Sequence, residues 1–163
     1  MTPQTIDTPA VDERHVLVPW KRQRGTRSAP IVRAEGVYFW DADGRRYLDF
    51  TSQFVFTNFG HGERRVVEAI QRQAEQLPVM ASPFVTDARA NAARDIAAVT
   101  PGDLNRVFFS TGGAEANEAA IKIARDLTGR PLICSRHRSY HGSTYGAMTL
   151  SRDHRTWPFE PAL

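Results

Sequence analysis

Apolar and polar residues alternate at different periods along this chain, and the changes of period divide it into segments. Residues 1–27 are mostly polar and are interrupted by Pro3, Pro9 and Pro19. They read as an extended arm with one short helical turn near 16–20, where Val16, Leu17, Val18 and Trp20 need a surface to dock on. Residues 31–51 then carry three β-branched or aromatic runs, 31–33, 37–40 and 46–50. Turn residues separate them: Glu35-Gly36 first, then Asp41-Ala42-Asp43-Gly44. Period-two runs split by glycine-bearing turns predict a small antiparallel meander.

From residue 63 the period lengthens. Val66, Ile70, Ala74 and Leu77 fall on one stripe of a helix predicted over 63–77 and ended by Pro78. A second helix is predicted over 86–99, closed by Pro101-Gly102. Residues 107–109, Val-Phe-Phe, have the pattern of a short buried strand. Thr111-Gly112-Gly113 turns the chain into a helix over 114–127, with an apolar stripe of Ala116, Ala119, Ala120, Ile123, Ala124 and Leu127. Thr128-Gly129 ends it. Leu132-Ile133-Cys134 reads as a further strand, and a polar loop over 136–143 leads to a short helix at 144–150. The proline-containing tail shows no closing element. Strand, glycine turn, helix, strand is a βαβ order, which demands a parallel pair and places the chain in the α/β class.

Composition narrows the function classes. The chain has 163 residues, about one domain, with 41% hydrophobic and 24% charged residues, as in ordinary globular proteins. No apolar run approaches the ~18 residues of a membrane span, and residues 1–10 lack the basic start and apolar stretch of a secretory signal. A single cysteine, Cys134, excludes an internal disulfide and fits a cytoplasmic protein. The net charge is +3, from 21 Lys+Arg against 18 Asp+Glu. Basic residues, including Arg136-His137-Arg138, are interspersed with acidic ones, which favours a solvated surface over a nucleic-acid partner. Only Lys21 and Lys122 are lysines, so amine chemistry has two candidates.

Two segments carry candidate chemistry. Phe109-Ser110-Thr111-Gly112-Gly113-Ala114-Glu115-Ala116 takes a strand through two glycines into a helix. The first N–H groups of such a helix lack intrahelical acceptors and sit at its positive end, an arrangement suited to phosphate. Ser110 and Thr111 add hydroxyl donors. An ordinary strand-to-helix turn with hydroxyl capping is the competing reading. Neither a Walker loop nor a dinucleotide fingerprint is present. Ser139-Tyr140-His141-Gly142-Ser143 follows the next predicted strand, and in a βαβ unit it would share an edge with the glycine turn. A tyrosine there suits stacking on a flat heteroaromatic ligand, or simply covers the sheet edge. Cys134, His137 and His141 have ligand types that zinc accepts, but no fourth ligand or second cysteine accompanies them, so no metal site is assigned.

Together these segments resemble the class III aminotransferases, fold-type I enzymes that use pyridoxal 5'-phosphate (PLP). The likeness extends from about Val16 through Asp41-Ala42-Asp43-Gly44, Tyr47-Leu48-Asp49, Asn58-Phe59-Gly60-His61, the 111–119 stretch, Lys122-Ile123-Ala124-Arg125 and Thr128-Gly129-Arg130 to Tyr140-His141-Gly142. It implies a partial fold-type I architecture: residues 1–57 as arm and meander of the small domain, and 58–163 as the start of the large PLP-binding domain. Gly112, Gly113 and Ala114 would hold the PLP phosphate, with Ala114 standing where many relatives have Ser or Thr. Tyr140 would stack on the pyridine ring, and His141 and Gly142 would shape the same loop. Glu115 would support the acid side of the cofactor site, and Phe54, Val55 and Phe56 would line the amino-substrate pocket. The resemblance further implies transfer of an amino group from an amine or amino acid to a keto acid by a homodimer. The family's Schiff-base lysine and pyridine-pairing aspartate fall beyond this sequence, and Lys21 and Lys122 match neither. The catalytic residues are therefore expected outside this chain, which reads as an N-terminal portion. A non-catalytic phosphate binder or dimer partner is the alternative.

Overall fold

Each of the three strand-forming runs pairs with the next. In the computed structural model, residues 15–19, 22, 24, 29–151 and 154–162 are described. Most of the expected arm, Trp20 and Lys21 included, therefore lies outside the described residues. The chain divides into two compact units, one through Phe84 and one from Val85.

In the first unit, β1 (Ile31–Glu35), β2 (Tyr38–Asp41) and β3 (Arg46–Leu48) form an antiparallel sheet in the order β1-β2-β3. Phe39 lies opposite Tyr47 in the register, and their rings stack at 5.1 Å. On the alternate positions, Arg33 sits 3.6 Å above the Trp40 ring and Arg46 4.6 Å above that of Tyr38. The turn into β3 is organised by Asp41. Its buried carboxylate accepts from the Arg45 N–H at 2.9 Å and the Tyr47 hydroxyl at 2.7 Å.

A second buried carboxylate, Asp49, folds the next loop back onto the sheet. Asp49 Oδ2 lies 2.7 Å from His61 Nε2, and Oδ1 accepts from the Gln53 N–H at 3.1 Å. The His61 backbone forms an antiparallel bridge with Gly36, through bonds of 2.9 and 2.7 Å. A side chain at Gly60 would press on the Gly36 carbonyl oxygen at 3.1 Å, so Gly60 lets the loop approach. Between these anchors runs a single left-handed turn, α1 (Ser52–Val55), with φ values of 48°, 50°, 57° and 74°. Left-handed helical backbone costs non-glycine residues roughly 1–2 kcal/mol each, so this turn exists because Asp49 and the Gly36–His61 bridge hold its ends. The amphipathic helix α2 (Arg64–Gln76) follows, capped by the Glu63 side chain at the Arg65 N–H.

The second unit contains α3 (Asp87–Val99), capped by Thr86, α4 (Gly113–Thr128), ended by left-handed Gly129, α5 (Tyr145–Leu150) and a 3-10 turn at Trp157–Ala162. α4 packs against α5. The helix boundaries follow the sequence periodicity closely. The 3-10 turn closes a tail in which no closing element is legible from residue types.

Two expectations are corrected. Residues 107–109 and 132–134 flank α4 in the predicted order, but neither belongs to a strand ladder, and no parallel pair forms among the described residues. A strand needs a neighbour to satisfy its backbone groups, and the described residues supply none here. Phe108 and Leu132 are correspondingly exposed. The packed face of α4 also differs from its alanine-rich stripe. Ile121 is buried and Ala114, Asn117 and Glu118 are half-buried, whereas Ile123 and Leu127 are exposed. Among the described residues no sheet lies beneath the stripe expected to cover one. The i, i+3, i+4, i+7 set beginning at Ala114 is packed, and of the expected stripe Ala119 and Ala124 are half-buried while Ala116 and Ala120 are exposed.

The two buried aspartates predict an acid response. Hydrogen bonding from Tyr47, outweighing burial, holds Asp41 below its ordinary 3.8. Burial pushes Asp49 up, but the Gln53 N–H and the His61 ring prevail and leave it below 3.8 as well. Carboxylates lowered by folding stabilise above the unfolded value and lose that contribution as pH falls through the folded one. The amide signals of Arg45 and Gln53 are therefore expected to stay protected from exchange above pH 3.8 and to lose protection below it. At neutral pH, Asp49→Asn should speed exchange at Gln53 and leave Arg45 unchanged.

Candidate functional site

The glycine turn lies at the start of α4. Gly112 is the N-cap, in extended backbone that any residue adopts, and no side chain caps the helix. A Cβ built on Gly112 or Gly113 meets no atom within 4 Å. Among the described residues neither conformation nor packing accounts for glycine at these positions, and glycine within a helix costs up to about 1 kcal/mol relative to alanine. What the pair provides is unobstructed approach to the N–H groups of the first helical turn, which have no intrahelical acceptors.

The adjacent hydroxyls are engaged elsewhere. Thr111 donates both its N–H, at 3.0 Å, and its hydroxyl to Glu115 Oε2. Ser110 donates its hydroxyl to the Gly112 carbonyl at 3.1 Å. The expectation that Ser110 and Thr111 present donors to a ligand is corrected accordingly: Glu115, in the first turn of α4, reaches back and takes the threonine. The Thr111 hydroxyl and N–H together hold the Glu115 carboxyl below its ordinary 4.5. A carboxylate thus stands beside the glycine turn and fixes its entry angle.

Residues 140–151 are fastened to α4 by polar contacts. Asn117 Nδ2 donates to the His141 carbonyl at 2.6 Å, while the His141 N–H donates to Ser151 Oγ at 2.9 Å. Glu118 Oε1 accepts from the Thr144 hydroxyl at 2.6 Å and the Ala147 N–H at 3.0 Å. Glu118 therefore caps α5 from a different helix, and these donors hold its carboxyl below the ordinary 4.5, Thr144 contributing most. Gly142 has φ of 137°, and a Cβ there would lie 2.6 Å from the Ala114 Cβ and 2.9 Å from the Ala114 Cα. The loop that begins at Tyr140 is consequently seated on the first turn of α4. Tyr140 itself is 43% exposed, with its hydroxyl 3.0 Å from Ser143 Oγ. Buried His141 Nε2 has no hydrogen-bond partner among the described residues.

Phe54, Val55 and Phe56 sit on or beside the left-handed turn of the first unit, all exposed. Lys122 is exposed on α4. A cavity of about 540 Å³ lies beside the start of α4, with Ser110, Thr111, Glu115, Glu118, Lys122 and Arg89 in its wall. Gly112, Gly113, Ala114 and Tyr140 do not line it. Among the described residues no three His, Cys, Asp or Glu side chains converge as metal ligands, and no helix is long and apolar enough to cross a membrane. Sequence reasoning missed the fastening role of Asn117 and Glu118. Their signal was present: two hydrogen-bonding residues on the face of α4 that carries Ala114 and Ile121.

Comparison with known proteins decides the family. The family model for aminotransferase class III matches residues 21–160. The chain belongs to the class III aminotransferases. This class III chain is 35% identical over 140 residues to the [LysW]-aminoadipate semialdehyde/glutamate semialdehyde transaminase of Sulfurisphaera tokodaii, covering 85% of the chain and 36% of that protein. It is 41% identical over 121 residues to the acetylornithine aminotransferase of Bacillus subtilis, covering 74% of the chain and 31% of that protein. The crystal structure of taurine:2-oxoglutarate aminotransferase from Bifidobacterium kashiwanohense, in complex with PLP and glutamate, superposes with a TM-score of 0.84 at 44% identity. That match covers 88% of this chain and 32% of the other. The class III chain thus spans about a third of the length of these relatives, and its fold is a partial fold-type I architecture.

The fastening of α5 to α4 predicts a graded mutational response. Gly142→Ala should be the most disruptive change, because the added methyl meets the backbone of Ala114 and cannot be accommodated by a side-chain rotation. Gly146→Ala should be milder, since its methyl would strike the Glu118 carboxylate at 2.1 Å, and that side chain can swing aside. Glu118→Gln retains an accepting oxygen and should keep more protection at the Ala147 N–H than Glu118→Ala. Amide exchange at Ala147 and near-ultraviolet circular dichroism check the order.

Proposed function

We propose that this chain supplies the cofactor-holding portion of a PLP-dependent transaminase, which moves an amino group from an amine or amino acid to a keto acid. The observation that carries the reading is the open glycine turn: two glycines that neither backbone conformation nor packing requires, at the uncapped start of α4, joined through Ala114 to the Tyr140 loop. The residues fit the group. The N–H groups of Gly113 and Ala114, with Gly112 beside them, would hold the phosphate; each charge-assisted bond contributes roughly 1.5–3 kcal/mol gross. Tyr140 would stack on the pyridine ring. When bound, PLP supplies the electron sink on which amino-group transfer depends.

Reactive steps are assigned outside this chain. Lys122 is exposed on α4, in the wall of the cavity that Ser110, Thr111 and Glu115 also line, and by resemblance it does not match the family's Schiff-base lysine. Lys21 belongs to the N-terminal arm by the sequence reading. We assign neither a bond to the cofactor. By resemblance, residues 1–57 belong to the family's small domain and 58–163 to its large one. Phe54, Val55 and Phe56 would face the amino substrate. The working form is read as a cytoplasmic homodimer, the lone Cys134 supporting a reducing compartment. Nucleic acid and membrane surfaces are not read as partners, given the interspersed charges.

Two outcomes check this function. Gly113→Ala should leave the chain as stable as before or slightly more so, because alanine is the better helix former. It should nevertheless weaken binding of pyridoxamine 5'-phosphate about ten-fold, because the added methyl hinders close approach of the phosphate to a backbone N–H that alanine retains. A variant equal to the parent in both respects would remove the phosphate assignment. Borohydride treatment of the chain with PLP should yield no stoichiometric adduct on Lys21 or Lys122. An adduct at either, together with amine-dependent transamination, would place the catalytic lysine within this sequence.

A further inference from the structure

We propose that Arg155 is a positioning residue for Tyr140, seating one face of its ring so that a flat ligand stacks on the opposite face. The proposal rests on the reading of Tyr140 as the cofactor's stacking partner and adds a residue to it. The Arg155 guanidinium carbon lies 4.2 Å from the Tyr140 ring centroid, within cation–π range. Arg155 meets the ring on its face, and Ser143 Oγ lies 3.0 Å from its hydroxyl.

The segment that carries Arg155 is itself anchored. Thr156 is 3% exposed, and its carbonyl accepts from the Phe159 N–H at 2.8 Å, tying it to the 3-10 turn. His154 meets the edge of the Trp157 ring at 6.4 Å. Arg155 therefore reaches Tyr140 from a fixed base. Such fixing matters for Tyr140 because the residue is 43% exposed and its ring would present a face to a ligand. A stacking ring that must be ordered on binding loses affinity to that ordering, and one ordered beforehand does not. Arginine suits this role because its always-charged guanidinium is attracted to aromatic faces, an attraction that a lysine ammonium shares to a lesser degree.

Labelling the full 163-residue chain with fluorotyrosine makes its four tyrosines visible by fluorine NMR. The Tyr140 resonance is assigned by its loss in Tyr140→Phe. Arg155→Met is expected to move that resonance and broaden it as the ring begins to flip. Arg155→Lys, which keeps the cation, should restore much of the parent position. Pyridoxamine 5'-phosphate is the ligand probe, since it forms no covalent bond with Lys21 or Lys122. Its dissociation constant should rise about three-fold in Arg155→Met and less in Arg155→Lys. A Tyr140 resonance unmoved by Arg155→Met overturns the proposal. So does an equal change in the Met and Lys variants, which would mark a role in packing alone. A resonance that moves and is rescued by lysine, in a chain that does not bind the probe, upholds the seating by Arg155 and overturns the cofactor reading instead.

Discussion

The polar face of α4 decides where the Tyr140 loop can sit. Asn117 holds the His141 carbonyl, Glu118 caps α5, and Ala114 lies where only glycine at position 142 can pass. A half-buried carboxylate acting as cap leaves costly unpaired donors if it is removed, so the contact favours one placement of the loop over near alternatives. A purely apolar helix face would have left that placement free to slide. The consequence is that the phosphate-type turn and the aromatic ring, far apart in sequence, respond together to any displacement of the first turn of α4.

The first unit uses the same device in a different setting. Asp49 is a buried acceptor that gathers the Gln53 N–H and the His61 ring, and its grip sustains four successive residues in left-handed backbone. Strained backbone of this kind persists only where its surroundings over-determine it. Phe54 and Val55 lie within that turn and Phe56 directly follows it, so the aspartate fixes the direction in which these exposed side chains leave the chain.

Helix extents were legible in the sequence because they depend on local rules. Thr86 and Glu63 are capping residues, Gly129 is a left-handed stop, and the stripes have helical spacing. The meander was legible for the same reason, through Gly36 and Gly44. The glycine turn could be found from residue type alone. What could not be read was which face of α4 would be buried. The alanine stripe was expected to pack, yet hydrogen-bond partners on distant residues, His141, Thr144 and Ala147, draw the face of Asn117 and Glu118 inward as well. The left-handed turn at 52–55 was equally hidden, since Ser, Gln, Phe and Val have no preference for it and the cause sits in Asp49 and His61. Strand formation at 107–109 and 132–134 failed as an expectation because ladders are a property of pairs, and a β-rich run carries no information about whether its neighbour is present.

Those two stretches have a consequence for how the chain behaves as a material. Residues 107–109 present backbone donors and acceptors that no ladder among the described residues takes up, and they carry the exposed aromatic side chains Phe108 and Phe109. Extended segments with open hydrogen-bonding edges recruit whatever strand they meet. At high dilution the edge meets only water; as concentration rises it meets another copy of the same segment. An edge of this kind is satisfied by a strand offered in trans.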